Sequence, residues 1–569
     1  MFPFWPEFNF ALSTTALLLL ALLAIKLLKI GQREEFLPPG PPTVPVLGNL
    51  HVFPLESPHL KQVFISHAIC HFLNFGSRLQ MGPGTVVVIN SMEAAKELME
   101  KRSATTSGRP KNHMIDKITD GLSLSLVQYS DTWRTLRKAA RAILTPKAVH
   151  SHLPIQRAEA CQTMYDFLKS PENFFNHIGR YSNSVIMSIL FGKRCPRYES
   201  VESTAFFDAA EAFNHALSPS VPPVDLFPFL DYLPERWAWW KRLAREVKKM
   251  QHDLYFGLVD ECEKRMQRGE HNGSFMEILL SKQKELDLNR EMIGHLGGVL
   301  LEGATETTTS ALRRIVLFLA AFPDAQRKAQ EEIDRVIGHE RSPILEDFKD
   351  LPYIQALIKE YRSPRTNEPL IIPKGATIFV NTYAIYHDPD YFDEPETFLP
   401  ERYLNSEYGT KPGADRVCPG IPVAENSLAL NTMNFVWAFD FKLAKEDMNV
   451  NLVDRFFEKK GLVSMTLPFK CHIQPRNTNV SNIIEREYRE AVETFIKFEK
   501  DLAPADKQWV DDLRKNFFLP LLPMNAGSFF LPLPPPSSNP MPYALLANVQ
   551  MPQFALSMFQ LRLTDPILD

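Results

Sequence analysis

Residues 290–321 read REMIGHLGGVLLEGATETTTSALRRIVLFLAA. Apolar residues recur along this stretch at helical spacing, which predicts a single long helix. Between Glu291 and Arg313 its only charged residues are Glu302 and Glu306, four apart and therefore on one face. Gly303, Ala304, Thr305, Thr307 and Thr308 lie among them. Small residues let a ligand approach the backbone, and a hydroxyl beside an acid can relay protons to whatever is bound there. A helix interior crowded with threonine has low propensity, so a local cost is tolerated. The same pattern also fits a core helix that is merely softened by Thr and Gly.

Downstream, Arg416-Val417-Cys418-Pro419-Gly420 stands just before an apolar, helix-like stretch from Val423 to Phe441. A thiolate ahead of a helix N-terminus is stabilised by exposed N–H groups and the dipole, and Arg416 adds positive charge. Such a thiolate suits an electron-rich haem ligand, and Gly420 permits close approach of a flat cofactor. A buried structural cysteine is the plainer alternative. Cys195-Pro196 has the same dipeptide but Arg197 where the glycine belongs, so it supports no ligand role. Upstream, Trp133 and Arg137 share a helix face. An indole N–H and a planar guanidinium can together hold a carboxylate such as a propionate. With Arg134, Lys138 and Arg141 nearby, a solvated basic face fits equally well.

The remaining chain is organised around these segments. Helical spacing also covers Met92 to Lys101, Asp131 to Leu144 and Arg236 to Arg265, with β-like runs at Thr85–Ile89 and Thr377–Val380. The expected fold is mainly α with a small β-rich part. From Phe8 to Leu28 the only charge is Lys26, and a helix of that length is about 30 Å long, enough to span a bilayer. Lys26, Lys29 and Arg33 follow it and only Glu7 precedes it. The positive-inside bias then puts residues 1–7 in the lumen, an anchor at 8–28, and the bulk of the chain in the cytosol. Residues 29–50 form a proline-rich hinge around Pro38-Pro39-Gly40-Pro41-Pro42. Residues 51–515 read as the catalytic domain, and 516–569 as a Pro-rich tail without usable period. In 569 residues there are 63 Lys+Arg, 67 Asp+Glu and 6 Cys. That excludes a disulfide scaffold, and a net charge of −4 gives no case for nucleic-acid binding.

In this order the segments resemble the cytochrome P450 superfamily, most closely fungal microsomal members of the O-methylsterigmatocystin oxidoreductase type. The resemblance runs over most of residues 8–515. It takes in the anchor, the hinge, Trp133 and Arg137, Gly303 to Thr308, Ile372-Pro373-Lys374-Gly375, Pro400-Glu401-Arg402-Tyr403 and the cysteine loop. It implies a P450-like fold behind one N-terminal transmembrane helix, with haem between the long helix and the cysteine loop. Cys418 would be the axial iron ligand. Arg416, Trp133 and Arg137 would hold propionates, Gly303 and Gly420 would border the cofactor, and Glu306 with Thr307 would handle protons. The implied activity is insertion of one oxygen atom from O2 into a small apolar substrate, in fungal secondary metabolism or detoxification. NADPH–cytochrome P450 reductase would supply electrons at the cytosolic face of the endoplasmic reticulum, with Arg134, Lys138 and Arg141 in its docking surface.

Several segments depart from the family pattern. The family pairs a Glu with an Arg three residues on; here Glu360 is followed by Arg362 and Ser363. Residues two apart on a helix do not face each other, so Arg402 would lack its usual partner pair. The cysteine loop has Lys411 and Ala414 where Phe and Gly are expected, and Gln62 to Gln80 does not follow the pattern. A non-enzymatic, membrane-anchored relative unable to hold haem productively is the competing expectation. A haem-thiolate protein doing rearrangement or dehydration is a third, against which the acid–alcohol pair argues.

Overall fold

The computed structural model describes residues 40–51, 77–359, 376–381, 397–404, 421–444 and 466–518 apart from scattered positions, with isolated residues in 15–28 and at 385 and 394. Two compact units divide the chain, Met1–Arg514 and Lys515–Asp569. The longer helices of the first are α1 (Asp131–Ala140), α2 (Leu153–Lys169), α3 (Phe174–Phe191), α4 (Val201–Ala216), α5 (Trp239–Gln267), α6 (Arg290–Ala321), α7 (Pro323–Val336), α8 (Pro352–Lys359), α9 (Ile421–Ala438), α10 (Thr478–Phe495) and α11 (Pro504–Phe518). The last of these runs on into the first residues of the second unit. Strands β1 (Ser77–Met81), β2 (Gly84–Ile89) and β3 (Thr377–Val380) form one sheet. β1 pairs antiparallel with β2, and β2 pairs parallel with β3 from Val86↔Thr377 to Ile89↔Val380. β4 (Phe439–Leu443) and β5 (Cys471–Pro475) make a second, antiparallel pair. A mainly helical fold with small sheets is therefore as expected.

Local chemistry sets the boundaries. Asn289 caps α6 by accepting from the Met292 N–H, and Ser130 does the same for Trp133 at the head of α1. Pro323 sits in the first turn of α7, where its missing N–H is harmless. The apolar stretch predicted as helix to Phe441 instead ends at Ala438. Phe439, Phe441 and Leu443 alternate inward as a strand paired to residues 471–475, so a period of two overrides the apolar run. Strand β1 was not foreseen; it falls in the segment that had looked irregular up to Gln80. Residues 92–101 are described as helix only at Ala94, Ala95 and Glu97–Lys101. In the expected anchor, the described residues Thr15, Leu17, Leu18, Leu20, Ala21, Leu22, Ile25, Lys26 and Leu28 are helical and exposed. No helix among the described residues is long and apolar enough to cross a membrane. The tail predicted from residue 516 overlaps the end of α11, and residues 519–569 lie outside the described residues.

The core is aromatic and centred on α9. Phe435 stacks on Phe167 of α2 with ring centroids 5.1 Å apart, and Trp437 donates its indole N–H to the Gly338 carbonyl at 3.0 Å. Two buried asparagines here satisfy their amide N–H groups within the helix: Asn431 and Asn434 donate to the carbonyls of Ser427 and Leu430, one turn back.

Charge is buried as well. Glu159 is fully buried between Arg180 and Arg194, which donate to it at 2.5 and 3.0 Å, and Ser184 adds a hydroxyl at 2.7 Å. Burial opposes the charged carboxylate, but Arg194, Arg180 and Ser184 outweigh it and hold Glu159 below its ordinary range. Arg194 also reaches Glu499 at 2.8 Å, and Arg265 reaches Asp501 at 2.9 Å. The chain after β5 is thereby clamped to α5 and to the end of α3. Removing one partner from such a cluster leaves uncompensated buried charge. Glu159→Gln is expected to destabilise the fold by about 3–5 kcal/mol in urea unfolding, whereas substitution of the exposed pair Arg245–Glu235 should change stability by less than about 1 kcal/mol.

Candidate functional site

Glycine decides how α6 is packed. A Cβ on Gly298 would lie 2.3 Å from the Tyr255 ring, one on Gly294 2.6 Å from Phe256, and one on Gly297 2.9 Å from Phe191. Aromatic rings of α5 and α3 therefore bed directly on the α6 backbone. This close approach brings Tyr255 and Gln251 of α5 to Glu302, one turn beyond Gly298. The Tyr255 hydroxyl donates to Glu302 Oε1 at 2.6 Å and the Gln251 amide to the same oxygen at 2.7 Å. A further turn on, Asn214 of α4 donates to Glu306 Oε1 at 3.0 Å.

The electrostatics follow from this burial. Desolvation raises Glu302 to about 7; the Tyr255 and Gln251 hydrogen bonds oppose the rise and the Glu306 charge adds to it. Burial and the neighbouring Glu302 push the Tyr255 hydroxyl well above its usual range, so it stays a donor.

Glu306 and Thr307, expected to act together, occupy adjacent sectors of α6. The Thr307 hydroxyl donates to the Gly303 carbonyl at 2.7 Å, so at rest it does not donate to Glu306. Gly303 and Thr307 are exposed although Leu301, Thr305 and Thr308 beside them are buried. A Cβ on Gly303 would meet nothing within 4 Å among the described residues. One sector in the middle of a core helix thus has no described residue packed against it. Nearby, the Thr305 and Thr309 hydroxyls are buried without a hydrogen-bond partner among the described residues.

On α1 the Arg137 guanidinium lies 5.8 Å over the Trp133 ring, the shared face that the spacing predicts. Arg134 is spoken for by Asp131 at 2.5 Å. Arg137 has no hydrogen bond or ion pair among the described residues, and it is half-buried. Arg416, Cys418 and Gly420 lie outside the described residues, as do Glu360 and Arg362; the helix expected after the cysteine loop begins at Ile421. Arg402 donates to the carbonyls of Thr397 at 2.7 Å and Glu394 at 3.2 Å. Cys195 is buried, with its thiol raised by desolvation, as befits a structural cysteine. Tyr255, Gln251 and Asn214 were not singled out from sequence. Their only local signal is Gly298 one turn before Glu302, which marks where something must lie close.

The described residues thus form a mainly helical domain with two small sheets, whose long helix α6 carries two acids and an alcohol. The residue pattern of the cytochrome P450 family matches residues 38–361 and 367–472. The chain is 39% identical over 518 residues to a cytochrome P450 monooxygenase of Armillaria gallica, covering 85% of this chain and 98% of that relative. It is 34% identical over 514 residues to one of Arthrobotrys oligospora, covering 82% and 94%, and 33% identical over 533 residues to one of Aspergillus terreus, covering 86% and 97%. The chain belongs to the cytochrome P450 family, and is an enzyme of the monooxygenase kind by that membership. The family carries haem with a cysteine thiolate on iron, draws electrons from a reductase and acts on hydrophobic substrates with O2. Among the described residues, those present fit such a group: nothing lies within 4 Å of a Cβ on Gly303, the Thr305 and Thr309 hydroxyls lack a partner, and Arg137 has no anionic partner.

The α5–α6 contact can be tested directly. Gly298→Ala is expected to cost about 1–3 kcal/mol in thermal or urea unfolding, because the new methyl meets a ring that fills the slot. Gly303→Ala, facing open space, should leave stability nearly unchanged.

Proposed function

We propose that this chain is a membrane-anchored haem-thiolate monooxygenase that inserts one oxygen atom from O2 into a C–H bond of a small apolar substrate in fungal secondary metabolism or detoxification. The observation that carries the reading is the gap at Gly303 and Thr307, opened in the middle of an otherwise buried helix and flanked by Glu306. Haem, when bound, supplies the oxygen chemistry. The chain's residues do the rest. Cys418, three residues before α9, provides the thiolate, stabilised by the helix N-terminus and by Arg416. Arg137 and Trp133 hold propionate oxygens together with Arg416. Gly303 and Gly420 let the flat group lie against backbone. Glu306 moves a proton, and Thr307 can exchange its bond to the Gly303 carbonyl for one toward the gap.

The membrane placement has its own support. Phe229, Tyr232 and Trp237 are 65%, 90% and 63% exposed in the α4–α5 connection. Phe227 of that connection lies against the β1–β2 turn at Gly82, whose N–H donates to Leu47 of the hinge at 3.0 Å. The exposed aromatics and the hinge behind residues 8–28 thus meet at one end of the domain. Aromatic rings there suit a membrane interface. The catalytic domain then sits on the cytosolic face of the endoplasmic reticulum, where Lys138 and Arg141, both exposed on and just after α1, can face the reductase.

One observation favours a second reading. The family match is interrupted between residues 361 and 367, immediately after Glu360, where the Glu-x-x-Arg pair is altered. A chain that keeps the fold but fails to hold haem would follow.

An optical spectrum of the dithionite-reduced protein under carbon monoxide separates the two. A strongly red-shifted Soret band, lost in Cys418→Ser and reduced in occupancy by Arg137→Ala, is expected. An ordinary or absent band in the unaltered chain would overturn the monooxygenase reading.

A further inference from the structure

Glu302 is the acid that the proposed proton route leaves unused. Its setting is built rather than incidental. Gly298 clears the slot for the Tyr255 ring, and two donors from α5 converge on one carboxyl oxygen, Oε1. That leaves Oε2 without a hydrogen bond among the described residues. An oxygen accepting two donors is the carbonyl-like one, so Oε2 is where a proton resides. Glu306 follows one turn on along the same face, held by Asn214.

We propose that Glu302, positioned by Tyr255 and Gln251, is a proton-holding site that supplies Glu306, so that the two carboxyls share one proton near neutral pH. The step is a proton transfer alone. Glu302 gives its Oε2 proton to the Glu306 carboxylate, directly or through a water between them, and becomes the carboxylate that Tyr255 and Gln251 already stabilise. Solvent protons restore it. Two like charges one turn apart favour single protonation of the pair, and the burial that raises Glu302 to about 7 keeps the proton exchangeable at neutral pH. Among the described residues, the titratable groups facing Glu302 are Tyr255 from α5 and Glu306 from α6 itself. Two turns earlier on α6, His295 is kept neutral by burial, with Asp120, Glu291, Lys248 and His252 around it.

The role at Glu306 rests on the monooxygenase reading; the pair's proton does not, and the tests separate them. Infrared spectra of the full chain are compared with those of Glu302→Gln between about pH 5 and 9. A protonated-carboxyl C=O band that disappears with a midpoint of about 7, and is missing in Glu302→Gln, is expected. Tyr255→Phe should move that midpoint upward, since a donor to the ionised form is lost. Gln keeps the acceptor for Tyr255 and Gln251, so a purely structural Glu302 would survive Glu302→Gln unharmed. Instead, product formed per NADPH consumed should fall about tenfold or more, with KM unchanged and the pH dependence near neutrality flattened, and Glu302→Asp should recover part of it. Should Glu302→Gln not fold, the upward shift in Tyr255→Phe decides. Absence of the carboxyl band beside a normal carbon monoxide spectrum overturns the pair and leaves the monooxygenase intact. Presence of the band with unaltered coupling in Glu302→Gln overturns the supply to Glu306.

Discussion

A 32-residue helix, about 48 Å long, has to be the packed centre of the domain and one wall of its site at once. Those demands conflict, because a core wants large side chains in contact on every side and a site wants room against the backbone. The sequence divides them along the helix. Gly294, Gly297 and Gly298 let aromatic rings of neighbouring helices touch the backbone, which fixes helix spacing more tightly than interlocking side chains would. Just over a turn later, Gly303 has nothing against it among the described residues. The same residue type thus makes the closest packing and the open sector, and only the neighbours distinguish them.

The second constraint is how so large a helical domain keeps its buried charges satisfied. Glu159 is met by two arginines, and one of these, Arg194, is shared with Glu499 beyond the end of the family match at residue 472. Arg197–Asp506 and Arg265–Asp501 tie the same late segment to the body of the domain. An arginine buried on this scale needs every one of its partners. The chain after β5 is therefore part of the fold's charge balance, not an appendage. Arg194 also stacks at 3.5 Å on the Phe495 ring of α10, so packing and charge reinforce each other at that point.

Much of this was legible in advance where the signal was local. The bounds of α6 and β3, the shared face of Trp133 and Arg137, and the helix behind the cysteine loop all follow from periodicity and spacing. What escaped depended on distant partners. Ser77–Met81 is a strand because β2 lies beside it, and Phe439–Leu443 leaves the helix because β5 waits to pair with it. The resting partner of Thr307 was equally hidden. Successive helical residues point about 100° apart, and the Thr307 hydroxyl finds a carbonyl of its own helix. Tyr255 was invisible because its partner is 47 positions away; no pattern within α5 marks a tyrosine that will face a carboxyl.

The acids of α6 are also mechanically placed. Glu306 is tethered to α4 through Asn214 and Glu302 to α5 through Tyr255 and Gln251. Residues 217–238, with the exposed Phe229, Tyr232 and Trp237, connect those two helices. A displacement of that connection moves α4 and α5, and hydrogen bonds of 2.6–3.0 Å weaken steeply when stretched or bent. The two acids would respond differently. From α4, Glu306 is met by the side-chain amide of Asn214, which can follow a small shift of that helix. Tyr255 is wedged against Gly298, so Glu302 keeps its donors until α5 itself lifts from α6. The acid proposed to hold the proton is thus fixed through a ring wedged against backbone, whereas the tether from α4 to Glu306 runs through a side-chain amide.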